Sequence, residues 1–275
     1  MDRTPVVFVR GAWLNSLSWE LWVDRFASRG FHAVAPGWPG QADAAPDAHT
    51  SPETLAGIGL DALTDHYAAM ARSFDVPPVI VGHSVGGLIA QHLVGLNVGR
   101  AAVAIAPAPV NDVPLAAGPP RLWTPEQYEG TDDLVALSVE QFHRLFANTE
   151  EAAEAHRLFD RYVLPAPRRL LTDLGWAGAA RSPRAAADVA NAGRGPLLLI
   201  SGQEDRLVPD SVTRAVYKEY GDSTAVTDLK QFADRGHSLV IDRGWRDVAD
   251  HVLGWLDAHG IHARATEIGT RSHTF

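Results

Sequence analysis

Short apolar runs alternate along the chain with stretches in which apolar residues recur every three to four positions. The short runs are bounded by turn residues and predict buried strands at residues 6–9, 31–35, 79–81, 101–106, 197–200 and 225–232. The helically spaced stretches predict helices near residues 19–26, 51–74, 88–93, 211–220 and 245–256. The second helix is predicted to begin at Ser51, an N-cap residue that Pro52 follows. This alternation favours an α/β fold with a mostly parallel sheet and helices on both faces.

The alternation stops between residues 111 and 193. This stretch carries aromatic, mostly helical segments separated by prolines, at residues 123–128, 139–146, 152–162 and 168–176. We interpret it as an inserted helical lid over the sheet, so that residues 1–110 and 194–260 form the core. Residues 261–275 have no clear pattern and are expected to form a C-terminal tail.

Composition excludes several classes of protein. The 275 residues include 33 acidic against 24 basic side chains, a formal net charge of −9, and no basic cluster of the kind that nucleic acids require. No apolar stretch reaches the roughly 18 residues of a membrane span, and the chain enters its first strand too early for a leader peptide, so a cytoplasmic location is expected. Cysteine is absent, which excludes disulfides and thiolate metal sites. The histidines lack metal-ligand spacing, so neither a metal nor another cofactor is predicted.

A G-x-S-x-G motif lies directly after a predicted strand and directly before a helix. Its residues are Gly82-His83-Ser84-Val85-Gly86. This context predicts a nucleophile elbow, a sharp turn whose flanking glycines avoid clashes and whose serine stands at the carboxyl end of the sheet. His83, inside the turn, is expected to pack rather than to react. A serine hydroxyl needs a base to take its proton and a partner that orients the base.

The loops after two later strands supply both partners. Asp205 follows the strand at residues 197–200, and His237 follows the strand at residues 225–232. The carboxyl ends of parallel strands are where ligand-facing residues of an open α/β sheet lie. We therefore predict that Ser84, Asp205 and His237 form a nucleophile, acid and base triad; Asp112, after the preceding strand, is an alternative acid.

Residues 5–110 and 195–258 resemble the α/β-hydrolases, whose triad follows the same chain order. The chain is most similar to the compact branch that contains plant methyl-esterases and hydroxynitrile lyases. The run Arg10-Gly11-Ala12-Trp13 resembles the His-Gly-Ala oxyanion loop of that branch, and the segments around Asp205 and His237 match its acid and base segments. The resemblance implies an α/β-hydrolase fold and an oxyanion hole formed by the backbone N–H groups of Ala12 and Val85. It also implies that residues 111–193 form the lid.

Two positions depart from that branch. Arg10 stands where the branch has histidine, and it could support the loop, pair with an acid or bind an acidic substrate group. Ser238 follows the base where the cyanohydrin-cleaving lyases carry lysine, which disfavours a lyase. A serine at position 84 also disfavours the relatives that use an aspartate nucleophile.

The predicted function is that of a serine hydrolase acting on a carboxylic ester, thioester or lactone through an acyl-enzyme at Ser84. The expected partner is a small-molecule substrate. The candidates for substrate contact are Arg10, Trp13, Trp123, Phe146 and Trp176. A triad enzyme that does not hydrolyse, such as an acyltransferase, a cyclase or a C–C lyase, is the alternative. A ligand receptor without catalysis is a third reading, which the complete triad disfavours.

Overall fold

The computed structural model describes residues 3–39, 55–114, 133–175 and 180–264. The strands of this part are β1 (Pro5–Val9), β2 (His32–Val34), β3 (Val79–His83), β4 (Ala101–Ile105), β5 (Leu134–Val135), β6 (Ala166–Pro167), β7 (Leu197–Gly202) and β8 (Thr227–Phe232). Its α-helices are α1 (Glu20–Ser28), α2 (Leu60–Arg72), α3 (Val85–Gly95), α4 (Val139–Leu145), α5 (Ala152–Tyr162), α6 (Arg168–Asp173), α7 (Asp210–Glu219) and α8 (Trp245–Ala258).

Six strands form one parallel sheet in the order β2-β1-β3-β4-β7-β8. Every residue of β1, β3, β4 and β7 is buried, which explains why these strands are continuous apolar runs rather than alternating ones. Helix α3 packs against β3 and β4, and α7 packs against β7 and β8. The predicted α/β fold with a parallel sheet is therefore confirmed.

An aromatic cluster fixes α1 on the sheet. The ring of Phe8 in β1 lies 5.0 Å from that of Trp19 and 5.3 Å from that of Phe26, and Trp19 lies 5.2 Å from Trp22. The indole N–H of Trp22 donates a 2.8 Å hydrogen bond to the carbonyl of Val240. Aromatic pairs of this kind each contribute about 0.5–1.5 kcal/mol beyond burial. The cluster thus anchors the segment that follows His237 to the first strand and helix.

Helix α2 begins later than the sequence predicts. It begins at Leu60, after an extended Gly59, and residues 55–59 are not α-helical. The backbone N–H of Leu60 donates to the Asp173 carboxylate at 2.9 Å, so the cap comes from the end of α6, far away in sequence. Such a cap has no local signature. Ser51 and Pro52 lie outside the described residues.

The stretch between β4 and β7 contains helices where they are predicted, since α4 and α5 match residues 139–146 and 152–162 closely. It also contains the antiparallel pair β5–β6, in which Leu134 faces Pro167 and Val135 faces Ala166. Two-residue strands leave no periodicity, so the sequence did not predict them. The predicted segment at residues 123–128 lies outside the described residues. None of the described helices combines the length and the apolar character that a membrane crossing requires.

The first residues of the expected C-terminal tail, 261–264, are held by contacts with the rest of the chain. Ile261 is buried, and the backbone N–H of Thr4 donates to the carbonyl of Ala263 at 2.8 Å. The side chain of Thr4 also donates to the carbonyl of His262 at 2.7 Å. Residues 261–264 therefore lie against the start of the first strand, because these backbone groups pair there. Residues 265–275 lie outside the described residues.

The glycines of the elbow permit a close approach of three backbone segments. A Cβ at Gly86 would overlap the carbonyl group of Val9 at the end of β1. A Cβ at Gly82 would overlap the backbone of Gly86 itself. The motif thus needs glycine at these positions because the backbones of the strands and the helix touch here. An unusual dihedral angle is not the reason.

We expect Gly86→Ala to lower the free energy of unfolding by about 3 kcal/mol, because the added methyl group must displace buried backbone. Urea denaturation followed by circular dichroism measures this. The control is Gly254→Ala in the exposed part of α8, where a Cβ meets nothing within 4 Å. It should be neutral or gain up to about 1 kcal/mol of helix propensity. Equal stability of the two variants would contradict the argument.

Candidate active site

Ser84 occupies a strained turn between β3 and α3. Its backbone has φ 56° and ψ −118°, in a region that non-glycine residues rarely adopt. The Ser84 N–H donates to the carbonyl of Ile105 at 2.9 Å, and the Ser84 carbonyl accepts the N–H of Ala108 at 2.9 Å. The neighbouring strand β4 therefore maintains the strain. This is the geometry that a nucleophile elbow requires.

Asp205 and His237 form a hydrogen-bonded pair whose side chains are wholly buried. Nδ1 of His237 lies 2.7 Å from Oδ2 of Asp205. The other carboxylate oxygen, Oδ1, accepts the backbone N–H groups of Leu207 and Val208, each at 2.8 Å. Two backbone donors already use this carboxylate as an acceptor, so the imidazole donates to it from Nδ1 and Nε2 offers the lone pair.

The alternative acid is not beside the base. Asp112 is exposed and interacts electrostatically with Arg181. The carboxylate that pairs with His237 is that of Asp205.

The hydrogen bond between Ser84 and His237 is not formed in this structure. Nε2 of His237 is buried and has no hydrogen-bond partner among the described residues. The ring of His83, the residue before Ser84, lies 4.6 Å from the ring of His237. Catalytic hydrogen bonds are often long without substrate and shorten when it binds. The contact between the two rings places His237 next to the strand end that carries Ser84.

The loop at residues 10–13 packs directly against the elbow. A Cβ at Gly11 would lie 3.3 Å from Cβ of Ser84. Ala12 and Val85 are both buried, and neither backbone N–H donates a hydrogen bond to a described residue. Val85 is the first residue of α3, where the helix dipole adds positive potential. Two unused donors therefore lie next to the serine, as an oxyanion hole requires.

Arg10 is buried beneath this loop. Its Nη1 donates to the carbonyl of Leu14 at 2.5 Å and to that of Gly11 at 3.3 Å. The guanidinium lies 3.5 Å from the centroid of the Trp38 ring. Burial lowers the pKa of Arg10 to about 9, which leaves the side chain charged at neutral pH. Its contacts are those of a group that holds the loop backbone.

Trp13 and Phe146 connect the inserted stretch to the loop and the base. The indole N–H of Trp13 donates to the carbonyl of Val135 at 3.0 Å, and its ring lies 6.0 Å from that of Phe146. Phe146 meets the His237 ring edge-on at 4.7 Å. Both side chains are almost wholly buried, so they form part of the wall around the base. The other two aromatic candidates, Trp123 and Trp176, lie outside the described residues.

Three contacts in the site were not predicted from the sequence. Nε2 of His83 lies 2.9 Å from the carbonyl oxygen of His237. The carbonyl of Phe146 accepts the N–H of Ser238 at 2.9 Å, and the amide of Asn148 donates to the carbonyl of Glu204 at 2.9 Å. All three join segments that are distant in sequence, so no local pattern indicates them.

The comparisons with known proteins agree with the fold. A model described as the alpha/beta hydrolase family matches residues 6–251. No curated protein sequence matches the chain significantly. The solved structures described next have low sequence identity to this chain, so their similarity shows the fold alone.

The structure is similar to a methylesterase from Arabidopsis, with a TM-score of 0.64 and 17% identity, covering 93% of this chain and 99% of that one. It is also similar to a monoacylglycerol lipase from Paleococcus ferrophilus, with a TM-score of 0.66 and 19% identity over 94% of this chain and 97% of that one. A thermophilic esterase from Thermogutta terrifontis gives a TM-score of 0.63 and 17% identity over 94% and 91% of the two chains.

The contacts of Arg10 predict the effect of Arg10→Met, which keeps the length and removes the charge. We expect unfolding free energy to fall by about 3 kcal/mol, since charged hydrogen bonds and the aromatic contact are lost. We also expect kcat/KM to fall by the same factor for neutral and anionic p-nitrophenyl esters of equal chain length, because the loop shifts for both. A loss confined to anionic esters would instead indicate a substrate contact.

The matched control for that experiment is Arg194→Met. Arg194 is also buried, lies 4.9 Å from the ring of Tyr220 and donates to the carbonyls of Gly195 and Val226. Arg194 comes just before β7 and therefore lies at the amino end of the strands. Ser84, Asp205 and His237 follow the carboxyl ends of their strands instead. This variant should lose stability while its kcat/KM stays unchanged.

Proposed function

Since the chain belongs to the α/β-hydrolase family, we propose that it is a serine hydrolase that cleaves a carboxylic ester, thioester or lactone. The observation that carries the proposal is the buried 2.7 Å pair of His237 and Asp205 beside the strained Ser84. The unused N–H groups of Ala12 and Val85 add support. The solved structures to which the chain is similar include proteins described as a methylesterase, a lipase and an esterase, which favours ester substrates.

In the first half of the reaction, Ser84 attacks the substrate carbonyl. His237 accepts the hydroxyl proton on Nε2 while Oγ bonds to the carbonyl carbon. The N–H groups of Ala12 and Val85 stabilise the negative charge that develops on the carbonyl oxygen; losing one such donor costs about 10²–10³ in rate in comparable enzymes. The intermediate then collapses to the acyl-enzyme, and His237 returns the proton to the leaving alcohol or thiol.

In the second half, water replaces the leaving group. His237 takes a proton from water, the hydroxide attacks the acyl carbon, and the proton returns to Oγ as the acid leaves. Asp205 remains ionised throughout and stabilises the imidazolium that forms twice in the cycle. Its second oxygen is fixed by Leu207 and Val208, so the carboxylate cannot rotate away from the ring.

The position of Arg10 favours neutral substrates. Its guanidinium is directed to the carbonyls of Gly11 and Leu14 and lies over Trp38. A guanidinium that donates its hydrogen bonds to backbone carbonyls is not available to bind a substrate carboxylate. We therefore propose esters without an anionic group near the carbonyl.

Ser84→Ala tests the nucleophile. We expect turnover of p-nitrophenyl acetate to fall to the residual level left by binding and the oxyanion hole, at least about 10³-fold below the wild type. A fluorophosphonate should label the wild type at Ser84 and leave the variant unlabelled, as mass spectrometry of the peptide can show. A variant that keeps more than about a hundredth of the activity would remove Ser84 from the mechanism.

Asp205→Asn tests the acid. The amide keeps the volume but holds the imidazole in the wrong tautomer, so kcat should fall by about 10⁴-fold. Asp112→Asn is the control, since Asp112 is exposed and should leave kcat unchanged. Steady-state kinetics on one ester measures both. The reverse ranking of the two variants would assign the acid to Asp112.

A further inference from the structure

His83 holds the backbone of the base from the strand that carries the nucleophile. It is the last residue of β3, directly before Ser84, and it is fully buried. Its Nε2 lies 2.9 Å from the carbonyl oxygen of His237, and the two rings are 4.6 Å apart at an angle of 50°. One strand end thus touches both reacting side chains: it carries Ser84 and binds His237.

The polarity of this hydrogen bond follows from chemistry. A carbonyl oxygen accepts hydrogen bonds and never donates them, so the proton must lie on Nε2 of His83. Burial, together with the neighbouring His237, holds the pKa of His83 well below its usual value, so the ring is neutral and carries one proton. Nδ1 of His83 is then unprotonated and lies toward the loop, 3.0 Å from where a Cβ of Gly11 would be. Because a neutral ring adds no positive charge, it does not oppose the imidazolium that forms at His237.

Three tethers hold the base in place. The His83 N–H fixes the carbonyl of His237, the Phe146 carbonyl fixes the N–H of Ser238, and the Asp205 carboxylate fixes the ring at Nδ1. The tether from His83 has a particular consequence. Ser84 is the covalent neighbour of His83 at the end of a rigid strand, so a shift of His83 also moves Ser84.

We propose that His83 is a positioning residue for catalysis, whose Nε2–H holds the backbone of His237 so that the imidazole Nε2 can come within proton-transfer distance of Ser84 when substrate binds. This inference rests on the proposed function of the Ser84 site. Proton transfer requires about 2.6–3.2 Å between heavy atoms. A misplacement of about 1 Å can lower the rate about a hundredfold. Without the tether, the bond to Asp205 is left to hold the imidazole of a loosened loop, so that bond becomes less ordered and the ring loses its fixed distance to the serine.

The test compares two substitutions. His83→Leu removes the donor and keeps an apolar volume, whereas His83→Gln places an amide N–H near the position of Nε2. We expect His83→Leu to lower kcat for p-nitrophenyl butyrate by about ten- to a hundredfold with KM within about twofold. His83→Gln should recover kcat to within about threefold of the wild type. If His83→Gln is no better than His83→Leu, the proposal is wrong.

The control is His92→Leu. His92 also places a ring nitrogen near a backbone carbonyl, with Nδ1 2.6 Å from the carbonyl oxygen of Ala186, but on α3 and away from the base. The kcat of His92→Leu should stay unchanged. That result would show that losing a histidine–carbonyl hydrogen bond lowers kcat when the carbonyl is that of His237, and has no effect when it is that of Ala186. If His83→Leu does not fold, His83→Asn replaces it, because its amide is polar but too short to reach His237.

A second readout does not depend on turnover. The low-field proton resonance of the His237 Nδ1–H···Asp205 hydrogen bond can be followed by NMR in a Ser84→Ala background. We expect it to broaden or disappear with His83→Leu and to persist with His83→Gln. A resonance unchanged by His83→Leu would overturn the proposal. An inactive and unlabelled wild type would refute the proposed function instead, while this resonance would still test the tether.

Discussion

The close approach of β1, β3 and α3 is the constraint on which the site depends. Gly82 and Gly86 allow the end of β1 to touch the first turn of α3, where any Cβ would overlap backbone. That contact brings the loop after β1 against Ser84. The strain at Ser84 is a consequence of the same approach, and hydrogen bonds to β4 maintain it.

The stretch between β4 and β7 is bound to the loops that carry the candidate site residues. Backbone hydrogen bonds of 2.8 Å join Asn15 to Tyr162 and Leu164 to Trp13, directly after the oxyanion loop. Phe146 packs on the base, and Asn148 holds the loop that carries Asp205 through the carbonyl of Glu204. A segment tied at three places to catalytic loops cannot swing away as one rigid cover without disturbing them. We therefore expect the part of it at residues 133–167 to act as a fixed wall.

Much of the fold and the proximity of Asp205 to His237 could be predicted, and both for one physical reason. Buried parallel strands are continuous apolar runs, and their carboxyl ends converge, so Asp205 and His237 could be assigned from their places after two strands. The contacts that position these residues could not be predicted. The cap of α2 by Asp173 and the tether from His83 depend on side chains that meet only in the folded chain.

The site holds its buried charges with fixed dipoles, and this governs what it can do. Asp205 is surrounded by two backbone N–H groups and one imidazole N–H. Arg10 is bound to backbone carbonyls and an aromatic face. In the proposed mechanism, dipoles fixed by the fold need not reorganise when charge moves from Oγ to the substrate oxygen and a proton moves to His237, whereas water would. The same logic explains a neutral His83 beside His237: it contributes a directed N–H to the backbone of His237 and adds no positive charge, so that in the proposed mechanism Asp205 is the counterion of the imidazolium.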